Sequence, residues 1–132
     1  MRPEHWPRLL DHYIETSRER AFEWGAFDCV TFAANWRALV TGQDTIAKYR
    51  GTYKTERQAL ELIVSLGFDG LEALATHFFG EPDPMGPKWA GRGDIVFAQD
   101  ALGISLGARG AFLGLSGLEF LPARSFTTVW KV

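Results

Sequence analysis

The sequence predicts an α+β fold in which helices come first and strands second. Over the first 80 or so residues, apolar side chains recur at three- and four-residue spacings, the period of helices with one buried face. Beyond residue 93 they fall in short runs separated by glycine or proline, the pattern of strands joined by turns. The third observation is composition: of 132 residues 46% are apolar and 14% aromatic, enough to close one core without cross-links. A single domain over residues 1–132 is expected, with a helical half from about 3 to 80 and a sheet half from about 93 to 132.

After Pro3, Leu9, Leu10, Tyr13 and Ile14 share one face while Arg8, Asp11, Glu15 and Arg18 lie elsewhere, which predicts an amphipathic first helix ending near Arg20. Phe22 to Phe27 is aromatic-rich and broken by Gly25, so a buried loop is expected there. Asp28 is placed as an N-cap, its carboxylate accepting from amides that have no partner in the first helical turn. Cys29, Phe32, Ala33, Trp36 and Val40 then form a stripe, and Gly42 supplies a stop, giving a second helix over about 29–41. Thr55-Glu56-Arg57-Gln58 is a capping-box pattern opening a third helix, with Ala59, Leu62, Ile63 and Leu66 facing inward. Asp69 to Glu72 starts a short fourth helix running to about Phe78, and Gly80 to Pro87 is a loop. The runs Ile95 to Ala98, Leu102 to Leu106, Ala111 to Leu113, Leu118 to Leu121 and Thr127 to Val132 predict an antiparallel meander of four or five strands. Helices packed on one face of a small curled sheet follow from that order.

With 14 basic and 16 acidic side chains the formal charge is −2, and neither sign forms a block. That excludes the electrostatic footprint of a nucleic-acid or anionic-membrane binder and leaves a protein or peptide-like partner. No run approaches the roughly 18 apolar residues of a membrane span, and Met1 to Trp6 lacks a signal-peptide core. A chain made in the cytoplasm and remaining soluble is expected. Cys29 is the only cysteine, which excludes an internal disulfide or a zinc site built from several thiolates; no metal and no cofactor is expected.

Cys29 is the candidate nucleophile. A thiol in the first turn of a helix lies near unpaired amides and the positive end of the helix dipole, which favour the thiolate and can also hold an oxyanion. Equally, cysteine is among the most buried residue types, and Cys29 lies on the apolar stripe of its helix. Trp24, Phe27, Phe32 and Trp36 fit either an aromatic groove or, more simply, the core.

Trp24-Gly25-x-x-Asp28-Cys29-x-x-Phe32-Ala33 resembles the nucleophile-helix signature of the NlpC superfamily of cell-wall cysteine peptidases, and Arg92-Gly93-Asp94-Ile95-Val96-Phe97 resembles the segment that opens their sheet. The chain further resembles a narrower family of phage and prophage proteins through Trp24 to Ala33, Thr41 to Asp44, Arg50 to Tyr53, Gly93 to Val96 and Trp130 to Val132. The resemblance implies a papain-like, NlpC-like domain with Cys29 as candidate nucleophile and Asp28 as the helix cap beside it. It also implies a place in the virion tail beside other tail tip or hub proteins, or action on peptidoglycan peptides as the genome passes into the cell. In those peptidases the second strand opens with the catalytic histidine; the matching position here is Ala101. His5, His12 and His77 all fall in the helical half, and Asp94 and Asp100 are the nearest ionisable residues on the sheet. The resemblance therefore implies a tail component that keeps a peptidase fold without hydrolysis, with an active cysteine endopeptidase or amidase as the alternative.

Overall fold

The computed structural model describes residues 2–132; Met1, where the expected domain begins, lies outside the described residues. Four α-helices, α1 (Trp6–Arg18), α2 (Cys29–Thr41), α3 (Glu56–Ser65) and α4 (Leu71–Phe79), precede five strands. The strands are β1 (Ile95–Ala98), β2 (Ala101–Ser105), β3 (Arg109–Gly114), β4 (Gly117–Pro122) and β5 (Thr128–Trp130). They form one curled antiparallel sheet in the order β4-β3-β2-β1-β5.

The sheet departs from a simple meander at β5. The first four strands follow one another as hairpins, but after Pro122 the chain crosses back and sets β5 on the far edge against β1, with Ile95 opposite Trp130. A run of apolar residues after a proline carries no mark of which edge it joins; burial of Val129 and Trp130 against opposite faces of the sheet decides it.

Helix α2 is the axis of the molecule. Asp28 caps it in a reciprocal capping box with Thr31, and Gly42 ends it in the left-handed conformation at φ 77°. On one side Phe32, Trp36 and Val40 pack with Leu10 and Ile14 of α1 over Ile104, Ala111 and Leu113. On the other, Ala33 and Ala34 pack with Leu74, Ala75, Phe78 and Phe79 of α4 over Ile95, Leu102 and Trp130. Each such large side chain removed from water contributes about 1.5–3 kcal/mol. The Trp36 indole donates to the Gly93 carbonyl at 2.8 Å, fixing α2 to the entrance of β1.

The reverse face of the sheet buries Val96, Ala98, Phe112, Phe126 and Val129. Gly103 is required there, because a Cβ would stand 2.6 Å from the Phe112 ring. Helix α1 ends at Arg18, two residues before the expected Arg20. Helix α3 differs more: its expected inward residues are only half-buried, and none of its residues is fully buried. Among the described residues no helix is long and apolar enough to cross a membrane.

Candidate functional site

The site is built from two loops that dock on each other. Gly25, at φ 81°, lies so close to the 50s loop that a Cβ would meet the Tyr53 carbonyl oxygen at 2.1 Å. The Gly51 amide donates to the Gly25 carbonyl at 3.0 Å, closing the contact. Behind it, the buried Asp28 carboxylate accepts from the Gly25 amide (2.9 Å), the Thr31 amide (2.9 Å), the Thr31 hydroxyl (3.2 Å) and the Tyr53 hydroxyl (2.6 Å). Burial, with the Asp28 charge next, pushes the Tyr53 phenol far above its usual range, so it stays a donor. Both carboxylate oxygens are engaged by these donors, so the work of Asp28 is to hold the loops and the start of α2.

Cys29 is the first residue of α2 and is half-buried. Its thiol is pushed up to about 11, mainly by burial, with the Asp28 and Asp100 charges adding to the effect. The Leu102 backbone nearby offsets part of this. Helix-end placement alone suggested a stabilised thiolate; here desolvation outweighs the dipole, and the neutral thiol dominates at neutral pH.

The tight turn between β1 and β2 brings the sheet to this thiol. Gln99 and Asp100 occupy it at φ 49° and 59°, the two left-handed positions of a hairpin turn that favours asparagine and glycine. Ala101 follows, paired with Ala98. The start of β2 therefore meets α2 through Leu102, in the apolar cluster that Cys29 joins, and Ala101 puts a methyl group at the position where the resemblance expects an imidazole. His5, His12 and His77 are exposed on the helical half; none lines the cavity beside Cys29, and His77 instead lies against the rings of Phe68 and Phe78.

Asp94, one of the two nearest ionisable residues on the sheet, has a different task. Fully buried, it accepts from Gly91 and Val132 amides at 2.8 and 3.2 Å and pairs with Arg2 and Lys131 at 2.9 and 2.8 Å. It is a structural junction and does not line the cavity. Among the expected aromatics, Phe27, Phe32 and Trp36 are core, while Trp24 lines the cavity.

That cavity, about 420 Å³, opens between the head of α2, the underside of α3 and the start of α4. Cys29 and Asp28 form one wall; Ile46, Tyr49, Ile63 and Phe78 make much of the apolar lining. Its size suits a small ligand or one or two side chains of a peptide. Among the described residues no cluster of histidine, cysteine and acidic side chains could hold a metal ion.

A family model described as a domain of unknown function, DUF6950, matches residues 1–132. The chain belongs to the DUF6950 family. No curated protein and no solved structure matches it. In this DUF6950 chain sequence reasoning singled out Asp28 and Cys29 but passed over Tyr53, Gly51 and the cavity. Tyr53 stood in the sequence as part of the Arg50-Gly51-x-Tyr53 segment, without a sign of what it touches.

Proposed function

We propose that the chain uses an NlpC-like, papain-like cysteine-peptidase fold as a binding scaffold without hydrolysis, in the tip or hub of a phage or prophage tail. One observation carries the non-hydrolytic part: no histidine lines the cavity to which Cys29 opens, and the position that matches the expected imidazole is Ala101. A thiol pushed up to about 11 with no base beside it is a poor nucleophile at neutral pH. The tail setting is supported by the five sequence segments shared with phage and prophage proteins. The competing function, a cysteine endopeptidase or amidase on peptidoglycan stem peptides, is favoured by the position of Cys29 at a helix end that opens to a cavity.

Alkylation of the purified protein by iodoacetamide separates the two. Under the scaffold function the rate climbs with pH toward a midpoint near 11 and is slow at neutrality; a plateau already reached at neutral pH overturns it. Muropeptides incubated with the wild type should remain intact, as with Cys29→Ser, and cleavage by the wild type alone would establish the peptidase. Coexpression with the tail tip and hub proteins of the same gene cluster tests the setting: coelution is expected, and a monomer indifferent to all of them removes the tail assignment.

A further inference from the structure

Helix α3 is amphipathic, yet buries none of its residues fully. Ala59, Leu62 and Ile63 turn their apolar side chains to the cavity, and Leu60 (56% exposed) and Val64 (73% exposed) carry the same surface over the outer edge of the helix. Leu60 and Val64 also floor a shallow depression on that outer side, flanked by Glu56 and by the ion-paired Arg57 and Glu61. A cavity continuous with an exposed apolar ridge is the kind of surface that proteins reserve for a partner.

The charge around the opening is one-sided. Five charged residues line the cavity: Asp28, Arg50, Glu56, Asp69 and Asp100. Arg50, the only cation of the five, is held by both carboxylate oxygens of Asp44 at 2.8 and 3.2 Å. Both carboxylate oxygens of the buried Asp28 are engaged by the Gly25 and Thr31 amides and the Tyr53 hydroxyl. Glu56, Asp69 and Asp100 come from three separate segments, the start of α3, the α3–α4 connection and the β1–β2 turn. None of the three side chains has an ion pair or hydrogen bond among the described residues. All three side chains line the cavity, and the Asp100 charge helps to raise the Cys29 thiol.

We infer that this cavity docks a peptide segment of a partner protein, with an apolar side chain seated beneath α3 and an adjacent lysine or arginine facing Glu56, Asp69 and Asp100. Such docking rests on the non-hydrolytic binding role proposed above. The apolar cavity supplies the anchor, and the unpaired acids favour cationic neighbours and steer their approach. The chain's own corner at Lys88 and the 61%-exposed Trp89 offers similar chemistry to a second copy. A reciprocal pair of such contacts would make a dimer, and self-association is therefore the outcome the test separates from a cationic partner peptide, which the three unpaired acids favour.

Fluorescein-labelled short peptides with a central Phe-Leu, flanked by lysine, glutamine or glutamate, test this by anisotropy with the full chain. The lysine peptide should bind about tenfold or more tightly than the glutamate peptide at low salt, and the gap should narrow as salt rises. Replacing the three acids together (Glu56→Gln, Asp69→Asn, Asp100→Asn) should bring the peptides level. Ala59→Trp, which fills the cavity from half-buried α3, should weaken all of them about tenfold or more while thermal melting still shows a folded protein. Equal binding of the three peptides, no binding, or binding untouched by Ala59→Trp overturns the inference, as does concentration-dependent self-association abolished by Trp89→Ser. Mass spectrometry of the same peptides separates the two proposals. Cleavage by the wild type but not by Cys29→Ser removes the non-hydrolytic role, whereas a charge-blind result with intact peptides removes only the assigned occupant.

Discussion

At the residue scale, Gly25 and Tyr53 decide whether the head of α2 exists in its present form. Gly25→Ala combines a left-handed backbone with a Cβ driven into the Tyr53 carbonyl, so a loss of about 3 kcal/mol or more is expected in urea unfolding. Tyr53→Phe removes a buried donor from a carboxylate that keeps its other donors, and about 2 kcal/mol is expected. The pH dependence follows the same chemistry. Tyr53 and Cys29 both bind their protons more tightly in the folded chain than in the unfolded one. Their contribution is therefore complete below their unfolded pKa values, roughly 8.5 for the thiol and 10 for the phenol, and is lost as pH rises beyond them. Stability by urea titration should fall between neutral pH and about 11, and less steeply in the Cys29→Ser, Tyr53→Phe double variant.

At the scale of elements, α2 and α3 both carry apolar residues at helical spacing but bury them to very different depths. Phe32 and Trp36 of α2 are completely buried between α1 and the sheet, and truncating either to alanine should cost about 3–5 kcal/mol. Leu60 and Val64 of α3 face outward, so Leu60→Ser or Val64→Ser should change stability by no more than about 0.5 kcal/mol. Amide exchange should show the same contrast, with α3 among the first helices to lose protection and α2 among the last. The periodicity of α3 was legible in the sequence, but how deeply its apolar face sits was not. Depth depends on what lies beneath a helix, and beneath α3 lies a cavity.

Across the whole molecule, segments far apart in the chain meet in pairs. Thr41 to Asp44 meets Arg50 to Tyr53 through the Asp44–Arg50 pair, and the latter meets Trp24 to Cys29 through Gly51, Tyr53 and Gly25. Gly93 and Asp94 meet Trp130 to Val132 through Asp94, which also gathers Arg2. Asp94→Ala strips one junction of its acceptor and leaves the Val132 amide and two cations without it. Differential scanning calorimetry should register about 3 kcal/mol of lost stability, more than Lys131→Ala, whose side chain is half in solvent.

What the sequence determined by itself was the order of helices and strands, the capped start of α2, the glycine that ends it and the placing of Cys29 in its first turn. All of these rest on local spacing, capping chemistry and backbone preference, which neighbouring residues supply. Only the tertiary structure decided that β5 returns to β1, that Asp94 joins both ends of the described chain, and that Asp28 is engaged by Gly25, Thr31 and Tyr53. It also decided the character of Cys29. Whether a thiol at a helix end becomes a thiolate depends on the balance of dipole, desolvation and neighbouring charge, and only the packing of β2, Asp100 and the cavity around it sets that balance toward the neutral form.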